Sequence, residues 1–201
     1  MQRNIESTNV IWAGIHYLLY LRQPNQEESV RLSLFETEYS PHGGGNAAFL
    51  YVAPNIETKN LSLGIYADNP ALAQWLFETM YQGRDNLLAA TGDNMVTARF
   101  TRSGDLRRDV TIHIDTSHGA IEARWANLEP PFVHHGPGAI GTVYTYCLFV
   151  TAPIAQIRVE DVEIPGQLYD REDWQPLLGR SLSSCLIGWE MWTGIEEQGA
   201  K

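Results

Sequence analysis

Histidine and glutamate are the side chains in this sequence whose chemistry suits proton transfer near neutral pH. Four of the six histidines lie in the central part of the chain. Residues 109–115 (DVTIHID) alternate as a β-strand, which places His113 on the same face as Asp115. An aspartate beside a histidine orients the ring and raises its basicity, so His113 is a candidate acid–base residue. A solvent-facing stripe of polar side chains is the alternative.

The adjacent pair His134 and His135 lies in a predicted loop, residues 129–141 (EPPFVHHGPGAIG). Neighbouring side chains of an extended chain point in opposite directions, so the pair does not share a metal, and we predict no metal site. Loops over a rigid scaffold often carry function. His134 is therefore a candidate catalytic residue at a pocket entrance, and a loop histidine in water is the alternative.

Glu190 lies in the last predicted strand, residues 181–192, on one face with Leu186 and Trp192. Both faces of this strand are mostly apolar, so we expect the Glu190 carboxylate to be buried. A buried carboxylate must be paired or protonated, and either state suits acid–base chemistry. The alternative is a salt bridge to an inward arginine such as Arg99 or Arg124.

The first predicted strand, residues 10–21, is apolar on both faces, so each face must be covered by a second layer or by a ligand. His16 interrupts this strand, and a core histidine with its hydrogen bonds satisfied is the alternative to a functional role. First and last strands are often neighbours in closed barrels. We therefore expect His16 to lie near Glu190.

Composition limits the classes of partner. The chain has 201 residues, enough for one domain (1–201), and its net charge of −10 argues against a nucleic-acid backbone or an anionic membrane surface as a partner. The apolar stretch near the N-terminus is too short for a membrane span and has no signal-peptide cleavage site, which predicts a cytoplasmic protein. Cys147 and Cys185 lie in apolar runs and should behave as small buried hydrophobes, with a disulfide as the alternative.

Period-two alternation recurs along the chain and predicts about ten strands with turns spaced as in barrels and sandwiches. One helix is predicted near residues 70–82, because Asn69 can cap it and Pro70 suits its first position. The fold class is therefore mainly β: a single-domain antiparallel β-barrel, or a closely wrapped sandwich, with one α-helix.

Several catalytic and cofactor motifs are missing. The run Gly43-Gly44-Gly45 lacks the lysine and hydroxyl residue of a phosphate-binding loop, and the sequence holds no G-x-S-x-G elbow or dinucleotide fingerprint. We accordingly predict no cofactor and no serine hydrolase chemistry.

The strand count, the single helix and tryptophans near both ends, Trp12 and Trp192, resemble the lipocalin-like β-barrels. The family's G-x-W signature is reversed here in Trp12-Ala13-Gly14, and the helix lies mid-chain rather than late. Members of the wider group include carriers of apolar molecules and cofactor-free cyclases, hydratases and isomerases. The resemblance implies a pocket for an apolar small molecule.

Three hypotheses for function follow. The first is a protein that binds an apolar small molecule; the second is a cofactor-free isomerase, cyclase or hydratase that uses the same pocket, with Glu190 or His113 moving the proton. The third is an oligomeric structural or interaction module, and a homodimer is compatible with all three. The predicted ligand-binding residues are Trp12, His16, Trp125, Tyr144, Tyr146 and Trp192.

Overall fold

The computed structural model describes residues 9–92, 94–138, 143–179 and 181–194. Within these ranges the chain is mainly β-structure, as predicted, with fourteen strands, three α-helices and one 3-10 helix, Glu172–Trp174. The strands are β1 (Val10–Arg22), β2 (Glu28–Tyr39), β3 (Gly45–Val52), β4 (Leu63–Ala67), β5 (Met95–Asp105), β6 (Asp109–Thr116), β7 (Gly119–Ala126), β8 (Phe132–Pro137), β9 (Val143–Thr151), β10 (Ile154–Val159), β11 (Val162–Glu163), β12 (Asp170–Arg171), β13 (Leu182–Ser183) and β14 (Cys185–Gly194). The helices are α1 (Pro70–Met80), α2 (Asn86–Ala89) and α3 (Gln175–Leu178).

Twelve of the strands form one sheet in the order β11-β10-β7-β6-β5-β4-β3-β2-β1-β14-β9-β8, and β12 pairs with β13 separately. Among the strand pairings of the described residues, only that of β4 with β5 is parallel, because α1 and α2 carry the chain across between them. No pairing in the described part of the chain joins the edge strands β8 and β11. The sheet is therefore open, and the predicted barrel closure is not confirmed.

The sheet folds back so that its two halves pack on each other. Tyr17 and Leu19 of β1 belong to one buried cluster with Ile112 of β6 and Trp125 of β7. The indole N–H of Trp125 donates to the carbonyl oxygen of Leu18 over 2.8 Å. One face of β1 is thus covered by the other half of its own sheet.

The opposite face of β1 packs against α1. Trp12 and Leu18 lie in a second buried cluster with Leu72 and Leu76 of this helix. Side chains alternate along a strand, so the two clusters use alternate residues of β1. The prediction that both faces of this strand are covered is confirmed.

The helix near residues 70–82 is also confirmed. The side chain of Asn69 accepts the backbone N–H of Leu72, and Pro70 occupies the first helical position. Two one-turn helices, α2 and α3, accompany α1. The chain thus has two short α-helices beyond the single helix that was predicted.

The proline- and histidine-rich segment differs from the predicted loop. Residues Phe132–Pro137 form β8, which pairs with β9 along one side only. An edge strand tolerates proline, because a ladder hydrogen bond is needed on only one side. Residues 139–141 of the predicted loop lie outside the described residues. Among the helices that are described, none is long and apolar enough to cross a membrane.

Candidate functional site

A cavity of about 700 Å³ lies on the helix side of the sheet. Side chains of β1, β9 and β14 form one wall, and the α1–α2 connection with residues 169–174 forms the other. Along β1 the lining residues are His16, Leu18, Tyr20 and Arg22, which share one face. At a rise of about 3.3 Å per residue, this row runs about 20 Å from one end of the cavity to the other.

The buried end of the cavity holds an acid–base pair. His16 Nδ1 lies 3.4 Å from Glu190 Oε1, and the two side chains are 8% and 9% exposed. The predicted proximity of these residues is confirmed, because β1 and β14 are neighbours in the sheet. The alternative prediction, a salt bridge from Glu190 to Arg99 or Arg124, is wrong. Arg99 pairs with Asp115, and Arg124 pairs with Asp109.

A hydrogen-bond chain approaches His16 from the side away from Glu190. The Tyr81 hydroxyl donates to Ser33 Oγ over 2.5 Å, and Ser33 Oγ lies 2.7 Å from His16 Nε2. Because Ser33 accepts from Tyr81, its own proton is available to His16 Nε2. Nε2 is thus anchored by Ser33, and Nδ1 is the ring nitrogen that faces Glu190. Ser33 itself is fully buried.

The second oxygen of Glu190 is also occupied. Oε2 accepts the indole N–H of Trp192 over 2.8 Å. Trp192 packs on Trp12 with ring centroids 4.5 Å apart, and Trp12 is anchored by its indole N–H to Thr37 Oγ1 over 2.9 Å. Oε2 is therefore held by an indole that is itself fixed by packing, while Oε1 lies beside the His16 ring.

Neither cysteine can act as a thiolate nucleophile at neutral pH. Burial, with a smaller contribution from the Glu190 carboxylate, raises the pKa of the Cys147 thiol far above its ordinary range. Burial likewise raises the pKa of Cys185 to about 12. Both are free and buried, as predicted from their apolar surroundings.

The other end of the cavity is rich in arginine, and the sequence reasoning did not single it out. Arg31 bonds to Asp85 over 2.8 Å, and Arg171 bonds to Asp173 over 2.5 Å. The guanidinium carbons of these two arginines lie 5.2 and 5.1 Å from the centre of the Tyr20 ring. Burial raises the pKa of this phenol to about 12, so it stays neutral. The sequence could have indicated this contact, because the short turn between β1 and β2 sets Tyr20 opposite Arg31 in the hairpin.

Four of the sequence-predicted residues line the cavity: His16, Glu190, Trp192 and His134. Burial, together with the adjacent His135, lowers the pKa of His134. Its imidazole is therefore neutral at pH 7 and able to accept a hydrogen bond from a ligand.

The remaining candidates lie elsewhere. Tyr144 and Tyr146 occupy the opposite face of β9 from the lining residues Thr145 and Phe149, and Tyr146 is exposed. They form an aromatic group with His135, whose Nδ1 is 3.0 Å from the Tyr144 hydroxyl.

Trp12, Trp125 and His113 also lie away from the cavity lining. Trp12 is buried behind Trp192, and Trp125 lies in the core between the two halves of the sheet. His113 lies on the outer face of β6, with its Nδ1 3.4 Å from Glu122 Oε2. The solvent-facing interpretation of His113 fits this position, and its partner is Glu122 on the next strand.

Comparisons with protein-family models, curated proteins and solved structures find no match to this chain. The described residues also contain no group of three or more His, Cys, Asp or Glu arranged to hold a metal ion.

Proposed function

We propose that this protein binds a small, largely apolar molecule in the cavity beside β1. The observation that carries the proposal is the cavity itself, which at about 700 Å³ has the size of a small-molecule site. Its lining combines apolar and aromatic side chains such as Leu18, Phe149 and Trp174 with two polar groups, the His16–Glu190 pair and the arginine cluster, at the two ends of the row along β1. Such a distribution favours a ligand with an apolar body and polar groups at its ends.

The proposal keeps the ligand class that the lipocalin-like resemblance implies, and it does not depend on barrel closure. Shape supports it, because β1, β9 and β14 supply a rigid wall while α1, α2 and residues 169–174 close over it. An interaction module would need no such cavity.

A fluorescence titration with N-phenyl-1-naphthylamine, a neutral apolar dye that brightens out of water, tests the proposal. Thr145→Phe fills the cavity from β9 and should weaken dye binding about tenfold or more. Thr111→Phe makes the same change on the outer face of β6 and should leave binding unchanged. Absence of binding, or equal binding by both variants, would overturn the proposal.

Native mass spectrometry of protein purified from its own host gives a second test that needs no dye. A retained small molecule that disappears from Thr145→Phe but not from Thr111→Phe would support the cavity as its site. A retained molecule that is insensitive to Thr145→Phe would place the ligand elsewhere.

A further inference from the structure

The described part of the chain contains two histidine–glutamate pairs of identical spacing in very different surroundings. In both, histidine Nδ1 lies 3.4 Å from a glutamate oxygen. The side chains of His113 and Glu122 are 42% and 45% exposed, whereas those of His16 and Glu190 are 8% and 9% exposed. Only the second pair lines the cavity. A carboxylate that meets a ligand away from water is a far more effective base than the same group in solvent.

The groups around Glu190 fix the position of its carboxylate. Its Oε2 is fixed by the Trp192 indole, and its Oε1 lies next to the His16 ring, which is stacked on Phe35 at 4.1 Å. Behind His16, the Tyr81–Ser33 hydrogen-bond chain anchors the ring at Nε2 and so holds Nδ1 beside the carboxylate. A preorganised base of this kind needs no rearrangement when a ligand arrives.

We infer that Glu190 acts as a general base that removes a proton from a weakly acidic C–H or O–H of the bound molecule, with His16 as its positioning residue. This inference rests on the proposed binding function. The chemistry balances without a co-reactant: the proton moves to a Glu190 oxygen, and the electron pair of the broken bond remains on the ligand. Return of that proton to a different ligand atom completes an isomerisation and restores the carboxylate.

The neighbouring nucleophiles do not compete with this role. Cys147 is kept as a neutral thiol by burial and by the Glu190 charge, which hold its pKa high. Ser33 is fully buried behind His16 and does not line the cavity, so it cannot attack a ligand there. Proton transfer through Glu190 is the chemistry that this end of the cavity offers.

The test uses 5-nitrobenzisoxazole, a small apolar carbon acid that needs only a base. Loss of its C3 proton moves the C–H electron pair into a nitrile, breaks the ring N–O bond and releases the coloured 2-cyano-4-nitrophenolate. We expect the wild-type protein to catalyse this ring opening and Glu190→Gln to lose about a hundredfold in kcat. Glu122→Gln, which alters the exposed pair, is the matched control and should retain the wild-type rate.

A positioning role for His16 has its own signature. His16→Ala should lower kcat with little change in KM, because the carboxylate remains but is no longer oriented. Equal kinetic constants for His16→Ala and wild type would overturn that part of the inference. Gly188→Ala offers a second route if Glu190→Gln does not fold, since an added Cβ would lie 2.7 Å from Glu190 Oε1 and would move the carboxylate without removing it.

Parallel displacement of N-phenyl-1-naphthylamine separates this inference from the binding proposal. If 5-nitrobenzisoxazole displaces the dye but Glu190→Gln and wild type give equal rates, the base assignment fails and binding stands. If the dye binds and 5-nitrobenzisoxazole neither displaces it nor reacts, the Glu190 end is closed to ligands, and the base assignment also fails. If the dye itself does not bind, the binding proposal fails first.

Discussion

Gly188 lies directly opposite His16 where β14 pairs with β1, and its missing side chain leaves the space that the Glu190 carboxylate occupies. A Cβ at Gly188 would come within 2.7 Å of Glu190 Oε1 and 3.1 Å of Cys147 Sγ. The acid–base pair therefore depends on a glycine that has no chemistry of its own.

Gly188→Ala should destabilise the protein by about 1–3 kcal/mol, because the carboxylate and the Cys147 side chain must shift to admit the methyl group. Gly194→Ala on the same strand is the control, since nothing lies within 4 Å of its Cβ position. Urea denaturation of both variants measures the difference. Equal urea midpoints for the two variants would show that a methyl group at Gly188 fits without displacing the carboxylate.

Glu190→Gln should lower the free energy of unfolding by about 1–3 kcal/mol. The indole N–H of Trp192 donates to this carboxylate and His16 Nδ1 lies beside it, and a neutral amide is a weaker hydrogen-bond acceptor than a carboxylate. Glu122→Gln removes the exposed counterpart and should cost less than about 1 kcal/mol. Denaturant unfolding measures both changes. Equal losses in the free energy of unfolding for Glu190→Gln and Glu122→Gln would contradict this prediction.

Trp125→Phe should destabilise the protein by about 2–4 kcal/mol. The substitution leaves the buried Leu18 carbonyl without its indole donor and opens space between the two halves of the sheet. Trp75→Phe on α1, where the ring is only partly buried, should cost less. Thermal unfolding of both variants tests the order, and a larger loss at Trp75 would contradict it.

Stability should fall as the pH rises above about 10. Burial raises the pKa of Tyr20 and of Tyr66 to about 12 from the ordinary value of 10.0. A group whose pKa is raised in the folded state stabilises the fold below its unfolded pKa, and that contribution is lost as the pH climbs to the folded value. Between pH 10 and 12 the unfolded chain has released these protons while the folded chain still holds them.

Tyr66→Phe isolates one part of this effect. The variant should show a shallower loss of stability between pH 10 and 12 than the wild type, because one of the late-titrating phenols is gone. Urea unfolding at a series of pH values measures the slope. An unchanged slope would show that Tyr66 ionises in the folded protein as it does in water.

Local patterns in the sequence predicted most of the elements of secondary structure. The capping Asn69 and the following Pro70 predicted α1, and alternation predicted most of the long strands. The segment Phe132–Pro137 was predicted as a loop because prolines and glycines surround it, yet it forms an edge strand. An edge position asks for hydrogen bonds on one side only, and a single sequence does not show which strands lie at an edge.

The candidate site was predictable only in part. His16 and Glu190 were linked through an expected pairing of the first and last strands, and the structure confirms their contact. Tyr144 and Tyr146 were predicted as ligand-binding residues, but they lie on the face of β9 that points away from the cavity. When a strand has apolar and aromatic residues on both faces, its pattern is the same whichever face points inward. The pattern therefore does not identify the inward face.

The sequence alone determined that this chain forms a mainly β domain with one main helix, and it determined which side chains could move a proton. Those properties depend on neighbours a few residues apart. The tertiary structure decided that Glu190 meets His16 rather than an arginine, that Ser33 and Tyr81 stand behind that pair, and that arginines gather at the far end of the cavity. These relationships arise from strand register and from the folding of the sheet over itself, which bring together residues from opposite ends of the chain.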